Sequence, residues 1–366
     1  MENSKNVFFA LLRAGLWERP VELAPDLQVD AEELYRLAEE QSVMGLIAAG
    51  WEHWEHRKLA RKETRPFMVA SMSQEGHNSA MNEFVRKLFG QMQEASLFPV
   101  LVKGQGIAQC YARPLWRASG DVDLFLDSAA FPAAKAFLLP LGKITEQERS
   151  FDQHIALQIG EWCVELHGSL RCGLSARMDR VIDEIQADTF AGGHVRIWQL
   201  GDTAVALPTP DNDALLVFTH ILRHFYKGGI GLRQICDWCR LLWTFRDSLN
   251  VALLEDRLKR MGLVSEWKAF AAFATNRLGM PESAMPIYSS AKWWKRKARR
   301  IDDYVQTVGN FGMKRNPAGR TGTLWLRLKD LFHHFFIFPL DSLRFFPSLV
   351  IHGVRDNAER AKHAVK

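Results

Sequence analysis

The stretch that most constrains this chain is Gly120-Asp121-Val122-Asp123, followed at once by Leu124-Phe125-Leu126. The apolar run marks a buried strand. Side chains alternate across a pleat, so Asp121 and Asp123 must project from one face. Two carboxylates fixed that close repel each other, and a divalent cation with oxygen preference, Mg2+ above all, is the usual counter-charge. The alternative, a solvated turn or helix cap after Gly120, leaves the apolar run unexplained. Upstream, Phe98 to Val102 reads as another short buried strand that ends in Lys103-Gly104-Gln105-Gly106. Glycines between a strand and a helix let backbone N–H groups approach phosphate oxygens, and Lys103 adds positive charge there.

Downstream, residues 154–159 (HIALQI) and 162–167 (WCVELH) read as strands separated by Gly160-Glu161, a two-residue turn of hairpin type. On the second strand Cys163, Glu165 and His167 share one face, and Trp162, Val164 and Leu166 the other. An acidic residue on a face that would otherwise pack in a core needs a reason, and a third metal ligand supplies one. The alternative for Glu165 is a half-exposed residue paired with a cation. His167 is either a partner of Glu165 or of a nucleotide, or a core histidine. Arg117, four residues before Asp121, either reaches a phosphate or is a plain surface arginine.

These residues resemble the core of the polymerase-β-type nucleotidyltransferase superfamily, and most closely a bacterial family of uncharacterised nucleotidyltransferases. That family shares a Lys-Gly step, an Arg-x-x-Gly-Asp-hydrophobic-Asp strand and a later Glu/Asp-Leu-His strand, represented here by Lys103-Gly104, Arg117 to Asp123 and Glu165-Leu166-His167. The likeness covers roughly Phe98 to Asp237. It implies transfer of a nucleoside monophosphate from an NTP to an acceptor hydroxyl or amine, with release of pyrophosphate. It implies that Asp121, Asp123 and Glu165 are the catalytic metal ligands for Mg2+ (or Mn2+), and that strand pairing brings Glu165 beside the two aspartates. Lys103, Gly104, Arg117 and His167 would lie at the nucleotide. One departure stands out: the usual Gly-Ser or Gly-Gly pair is Gly104-Gln105, so a catalytically silent nucleotide-binding or scaffold protein stays open.

The chain's 366 residues exceed one ordinary domain, and 47% apolar residues suffice for a sizeable core. The expected class is α+β, a small mixed-sheet core flanked by helical regions. The expected units are a helical module over 1–96, the α/β core over 97–207, a helical module closing the cleft over 208–290, and a basic, Phe-rich tail over 291–366. In the first, helices are expected over 7–16, over 30–41 with Asp30 as N-cap, and over 65–95. The last carries Met68, Met72, Met81 and Met92 with Val85, Leu88 and Phe89 at helical spacing; a core face against the sheet explains it better than a ligand groove. After the core, a helix over 214–226, capped by Asp211 or Asp213, carries His220 and His224 on one face, with no Glu placed as a zinc hydrolase needs. The next, over 232–245, places Arg233 and Asp237 where they could pair, and its Cys236-x-x-Cys239 is read as packing rather than metal or redox chemistry.

Charge is unevenly placed. Residues 291–366 hold 16 Lys/Arg against 6 Asp/Glu, so the whole-chain net of +5 leaves about −5 for residues 1–290. Residues 291–300 (AKWWKRKARR) form a candidate contact for anionic membrane or nucleic acid, and a protein working mainly through that tail is the other open reading. Five irregularly spaced cysteines, a short N-terminal apolar run and no 18-residue apolar stretch point to a cytoplasmic protein, at most peripheral to a membrane. The sequence names neither base nor acceptor.

Overall fold

The computed structural model describes residues 2–24, 27–54, 61–149, 153–310 and 328–347. The chain opens with helices α1 (Glu2–Trp17), α2 (Ala31–Glu40), α3 (Met44–Glu52) and α4 (Arg61–Glu94). Asp30 caps α2 as its sequence suggests: the carboxylate accepts the Glu33 N–H at 3.0 Å.

A seven-stranded mixed sheet follows, built from β1 (Val100–Val102), β2 (Asp121–Phe125), β3 (Lys143–Arg149), β4 (His154–Ile159), β5 (Trp162–His167), β6 (Val195–Leu200) and β7 (Thr203–Pro208). Its spatial order is β3-β4-β5-β2-β1-β7-β6. The fold is therefore α+β, as expected. The β4–β5 hairpin is antiparallel with Ile159 opposite Trp162 and His154 opposite His167. β5 then runs parallel to β2 with Asp123 opposite Glu165, and β2 antiparallel to β1 with Val102 opposite Asp123. This register puts the three carboxylates on adjacent central strands.

One face of the sheet is apolar. Val122, Leu124, Val164 and Leu166 meet Met81, Val85, Leu88, Phe89 and Met92 of α4, together with Phe131, Ala134 and Leu138 of α6 (Phe131–Leu138). Of the methionine stripe, Met81 and Met92 pack here and Met68 is partly buried against the helical core, while Met72 is 68% exposed.

The other elements are helical: α5 (Gly104–Ala108), α7 (Ala176–Phe190), α8 (Pro210–Lys227), α9 (Leu232–Thr244), α10 (Val251–Met261), α11 (Val264–Leu278) and α12 (Lys292–Val308). The helix anticipated from Ala214 begins at Pro210, so Asp211 and Asp213 lie inside its first turn rather than at its cap. Their carboxylates accept from the Asn250 N–H and from Arg196. Apolar faces of α1–α3 share one core with those of α8, α9, α11 and α12, so the first and the later helices stabilise each other rather than separate cores.

The basic residues 291–300 open α12, with Trp294 and Ala298 buried. Of the tail segments expected over 324–338 and 343–352, the described residues form helices over 328–335 and 339–347, and the rest lies outside them. Phe338 and Phe345 are fully buried beside Phe225 and Tyr226 of α8, so these helices are built into the core.

Candidate active site

The face of β2 and β5 opposite α4 carries Asp121, Asp123, Glu165 and His167, and β4 adds His154. These side chains line a cavity of about 310 Å³ whose far wall is formed by α8 and α9, through His220, Arg223, His224, Lys227 and Arg233, with Arg149 at the end of β3. The cavity is acidic on the sheet side and basic on the helix side.

Lys103 follows β1 with φ 57° and ψ −143°, a region that costs a residue with a side chain roughly 1–3 kcal/mol. Gly104 follows at φ 40°. The bend aims the Lys103 Nζ at Asp123 Oδ1, 2.7 Å away. Gly106 lets α5 settle on the sheet: a Cβ there would meet Leu207 Cδ2 at 2.8 Å. Gln105 is 2% exposed and is not among the residues lining the cavity. Its amide donates to Asn82 Oδ1 at 2.8 Å and its carbonyl accepts from Ser119. Asn78 completes this network, donating to the Leu115 and Arg117 carbonyls and accepting from Ser119. Gln105 therefore ties α4, α5 and the loop before β2 together, and takes no room from a ligand.

The carboxylates differ electrostatically. The charge of Asp123 and then burial raise the Asp121 pKa to about 6. For Asp123 burial acts upward too, yet Lys103 and the hydrogen bond with His167 outweigh it and hold the group below its ordinary value. Glu165 is held well below the usual carboxylate range despite burial, by hydrogen bonds with His154 and His167. Burial acts downward on His167, yet its hydrogen bonds with Asp123 and Glu165 outweigh it and raise its pKa. Its Nε2 lies 2.9 Å from Asp123 Oδ1 and 3.4 Å from Glu165 Oε2, while His154 Nε2 lies 3.2 Å from Glu165 Oε2.

Asp121, Asp123 and Glu165 each offer an oxygen, all within 4.8 Å of one another. An all-oxygen donor set with surplus negative charge, expressed in the raised Asp121, fits Mg2+ or Mn2+.

Arg117 lines the cavity and is paired within the protein. It is 6% exposed, and its Nε and Nη2 donate to the two Asp237 oxygens at 2.8 and 2.7 Å while Nη1 donates to the Ala118 carbonyl. Tyr111 also donates to Asp237 at 2.8 Å. Asp237 thus accepts from Arg117 and Tyr111 rather than from Arg233, whose Nη1 donates to the Ala118 carbonyl. Together these bonds lock α9 onto the loop leading into β2. Cys236 and Cys239 are free thiols, fully buried in the helical core.

His154 was not singled out in the sequence, although a signal existed. A two-residue turn at 160–161 fixes the hairpin register, and that register alone puts His154 across from His167. Arg149 and the Asn78 network carry no comparable local signal.

Among the described residues, no helix is long and apolar enough to cross a membrane. Comparison with curated proteins and with solved structures found no match. A family model described as "Uncharacterised nucleotidyltransferase" matches residues 28–279, which is well over half the chain and extends on both sides of the segment that carries the motifs. Every residue lining the cavity falls inside that match. The chain belongs to this family of uncharacterised nucleotidyltransferases.

Proposed function

We propose that the cavity transfers a nucleoside monophosphate from an NTP to an acceptor hydroxyl or amine and releases pyrophosphate, in the manner of the polymerase-β-type superfamily. The observation that carries this reading is the polarity of the cleft: three strand-fixed carboxylates face a basic helical wall across one cavity. An NTP needs both, cations for its phosphates and a metal-binding edge at the reacting phosphorus.

Asp121, Asp123 and Glu165 would hold Mg2+ or Mn2+, which when bound neutralises phosphoryl oxygens and aligns attacking and leaving oxygens for in-line displacement. Lys103 and the backbone at Gly104 sit beside these carboxylates and contact the phosphates. Arg233, Arg223, Lys227 and Arg149 offset the remaining charge. The Arg233 Nε is buried and has no hydrogen-bond partner among the described residues, and burial followed by the nearby Arg117 charge lowers its pKa. A bound anion relieves both conditions. Arg117 acts at one remove, fixing Asp237 and the loop before β2. His167 holds Asp123 in place.

Equilibrium binding tests the arrangement. NTP with Mg2+ binds the wild type, Arg233→Ala weakens it by at least tenfold, and Mg2+ without nucleotide binds weakly because two or three carboxylates are a poor cage for that ion. NTP affinity unchanged in Arg233→Ala, or tight Mg2+ binding without nucleotide, contradicts it.

A second surface bears on location. Residues 291–300 place Trp293, 56% exposed, and a row of cations on α12, and Arg300 donates to the Phe336 carbonyl beside the exposed Phe332, Phe336 and Leu340. Cations next to exposed aromatic and aliphatic side chains suit an anionic membrane interface. Changing Lys292, Lys295, Arg296, Lys297, Arg299 and Arg300 to Gln abolishes salt-sensitive vesicle binding on this reading and spares NTP affinity; retained vesicle binding contradicts it.

A further inference from the structure

We infer that His154, Glu165 and His167 form a second cation site, of mixed nitrogen and oxygen donors, that takes a divalent transition ion such as Zn2+ beside the all-oxygen site and shares Glu165 with it. The three donor atoms lie within 4.8 Å of one another. An ion with bonds of about 2.1 Å sets neighbouring ligand atoms roughly 3.0–3.4 Å apart. His154 Nε2 and His167 Nε2 stand 3.2 and 3.4 Å from the same Glu165 oxygen, so two of the three edges already have that spacing.

The backbone holds this spacing. His154 and His167 are directly opposed on the β4–β5 hairpin, and Glu165 is two residues from His167 on the same face. Their rings are 4.8 Å apart at 50°. Sites carried on strands are held more tightly than sites on loops. Two imidazoles and a carboxylate form a three-donor set of the type that binds zinc while leaving a coordination position open. All three residues line the cavity, so that position faces the space the substrates would use.

The donor chemistry separates the two sites. Mg2+ prefers oxygen and keeps its waters, whereas imidazole nitrogen favours the later first-row ions. Asp121 and Asp123 lie on β2, on the far side of Glu165 from His154. The competing arrangement, with no ion, keeps His154 hydrogen-bonded to Glu165 and His167 Nε2 shared between Asp123 at 2.9 Å and Glu165, so an ion would have to take His167 from Asp123. It predicts different binding, because it gives His154 no metal to hold.

This inference does not rest on nucleotidyl transfer, and its test reads metal alone. Full-length protein stripped of metal is titrated with Zn2+, and separately with Co2+ to follow visible absorption, without nucleotide. One equivalent of Zn2+ binds at least a hundredfold more tightly than Mg2+, and Co2+ develops a nitrogen-ligated band. His154→Ala and the milder His154→Gln each lose about a hundredfold or more in Zn2+ affinity at an unchanged melting profile, and His167→Gln does the same. Asp121→Asn keeps Zn2+ affinity within about threefold, because Asp121 is not a ligand. Absence of Zn2+ binding, Zn2+ binding indifferent to both His154 variants, or an equal loss in Asp121→Asn each overturns the inference.

Discussion

β2 and β5 present two faces of one sheet that do opposite work. Val122, Leu124, Val164 and Leu166 are buried against α4 and α6, while Asp121, Asp123, Glu165 and His167 face α8 and α9 across the cavity. The same few residues of backbone serve both, because alternate side chains point to opposite sides. Stability and the proposed chemistry therefore fall on different residues one position apart. Substitutions can separate them.

The largest contrast is between neighbours on β5. Val164→Asp puts an unpaired carboxylate into the apolar face and costs on the order of 5 kcal/mol, enough to unfold many domains. Glu165→Gln costs a fraction of that in urea denaturation while removing a proposed metal ligand. Equal losses would mean that the two faces are not energetically distinct.

Next comes Arg117. As one half of a buried bidentate pair, its replacement by Ala leaves Asp237 charged and enclosed, and the expected loss is about 3–5 kcal/mol. The double change Arg117→Met with Asp237→Leu recovers most of it. If Arg117 instead served a phosphate, Arg117→Ala would leave melting nearly unchanged and lower NTP affinity.

The two aspartates of β2 sharpen the contrast within the site face itself. Asp121, raised to about 6 mainly by its neighbour's charge, is a liability in the metal-free protein. A group whose folded pKa is raised contributes stability below its unfolded pKa and loses it as pH rises through the folded value. Asp121→Asn should therefore be more stable than wild type by on the order of 2 kcal/mol at neutral pH, with the advantage vanishing below about pH 4. Asp123, held low by Lys103 and His167, is the reverse, and Asp123→Asn should be destabilised at neutral pH. Thermal melts across pH decide the signs.

The smallest effect belongs to the opposite wall. Burial, then Arg223 and Lys103, lower His224 to about 3, so it is neutral when folded and its stabilisation is lost as pH falls from about 6.5 toward 3. His224→Gln removes that dependence, making the protein more acid-tolerant by on the order of 1 kcal/mol at pH 5. An identical pH profile for wild type and variant would show that His224 is not desolvated.

The hairpin 154–159/162–167 was legible to the residue, because a two-residue turn and clean alternation leave one register. Helices 30–41 and 232–245 were nearly so, through the Asp30 cap and strong periodicity. The placement of Glu165 beside Asp123 was legible only by resemblance, since parallel pairing of β2 with β5 joins residues more than forty positions apart. The pairing of Arg117 was not legible, because nothing local announces that Asp237, on a distant helix, will meet it. A helical module closing the cleft was expected over 208–290, but which cations of α8 and α9 line it was not, because which side of a helix faces a cleft is decided by tertiary packing. Helix α3, and strands β3, β6 and β7, blend into their neighbours in composition and are set by the sheet they join.

Nucleotidyl transfer at the carboxylate face of β2 and β5 is the activity we propose. The most direct measurement is label transfer from each NTP carrying a labelled α-phosphate, incubated with Mg2+, a cell extract and either wild-type protein or the folded Asp121→Asn variant. Wild type should label an acceptor and release one pyrophosphate for each label transferred, and Asp121→Asn should do neither. Label transfer that persists undiminished in Asp121→Asn, or NTP binding by wild type with no label moved to any acceptor, would contradict the account.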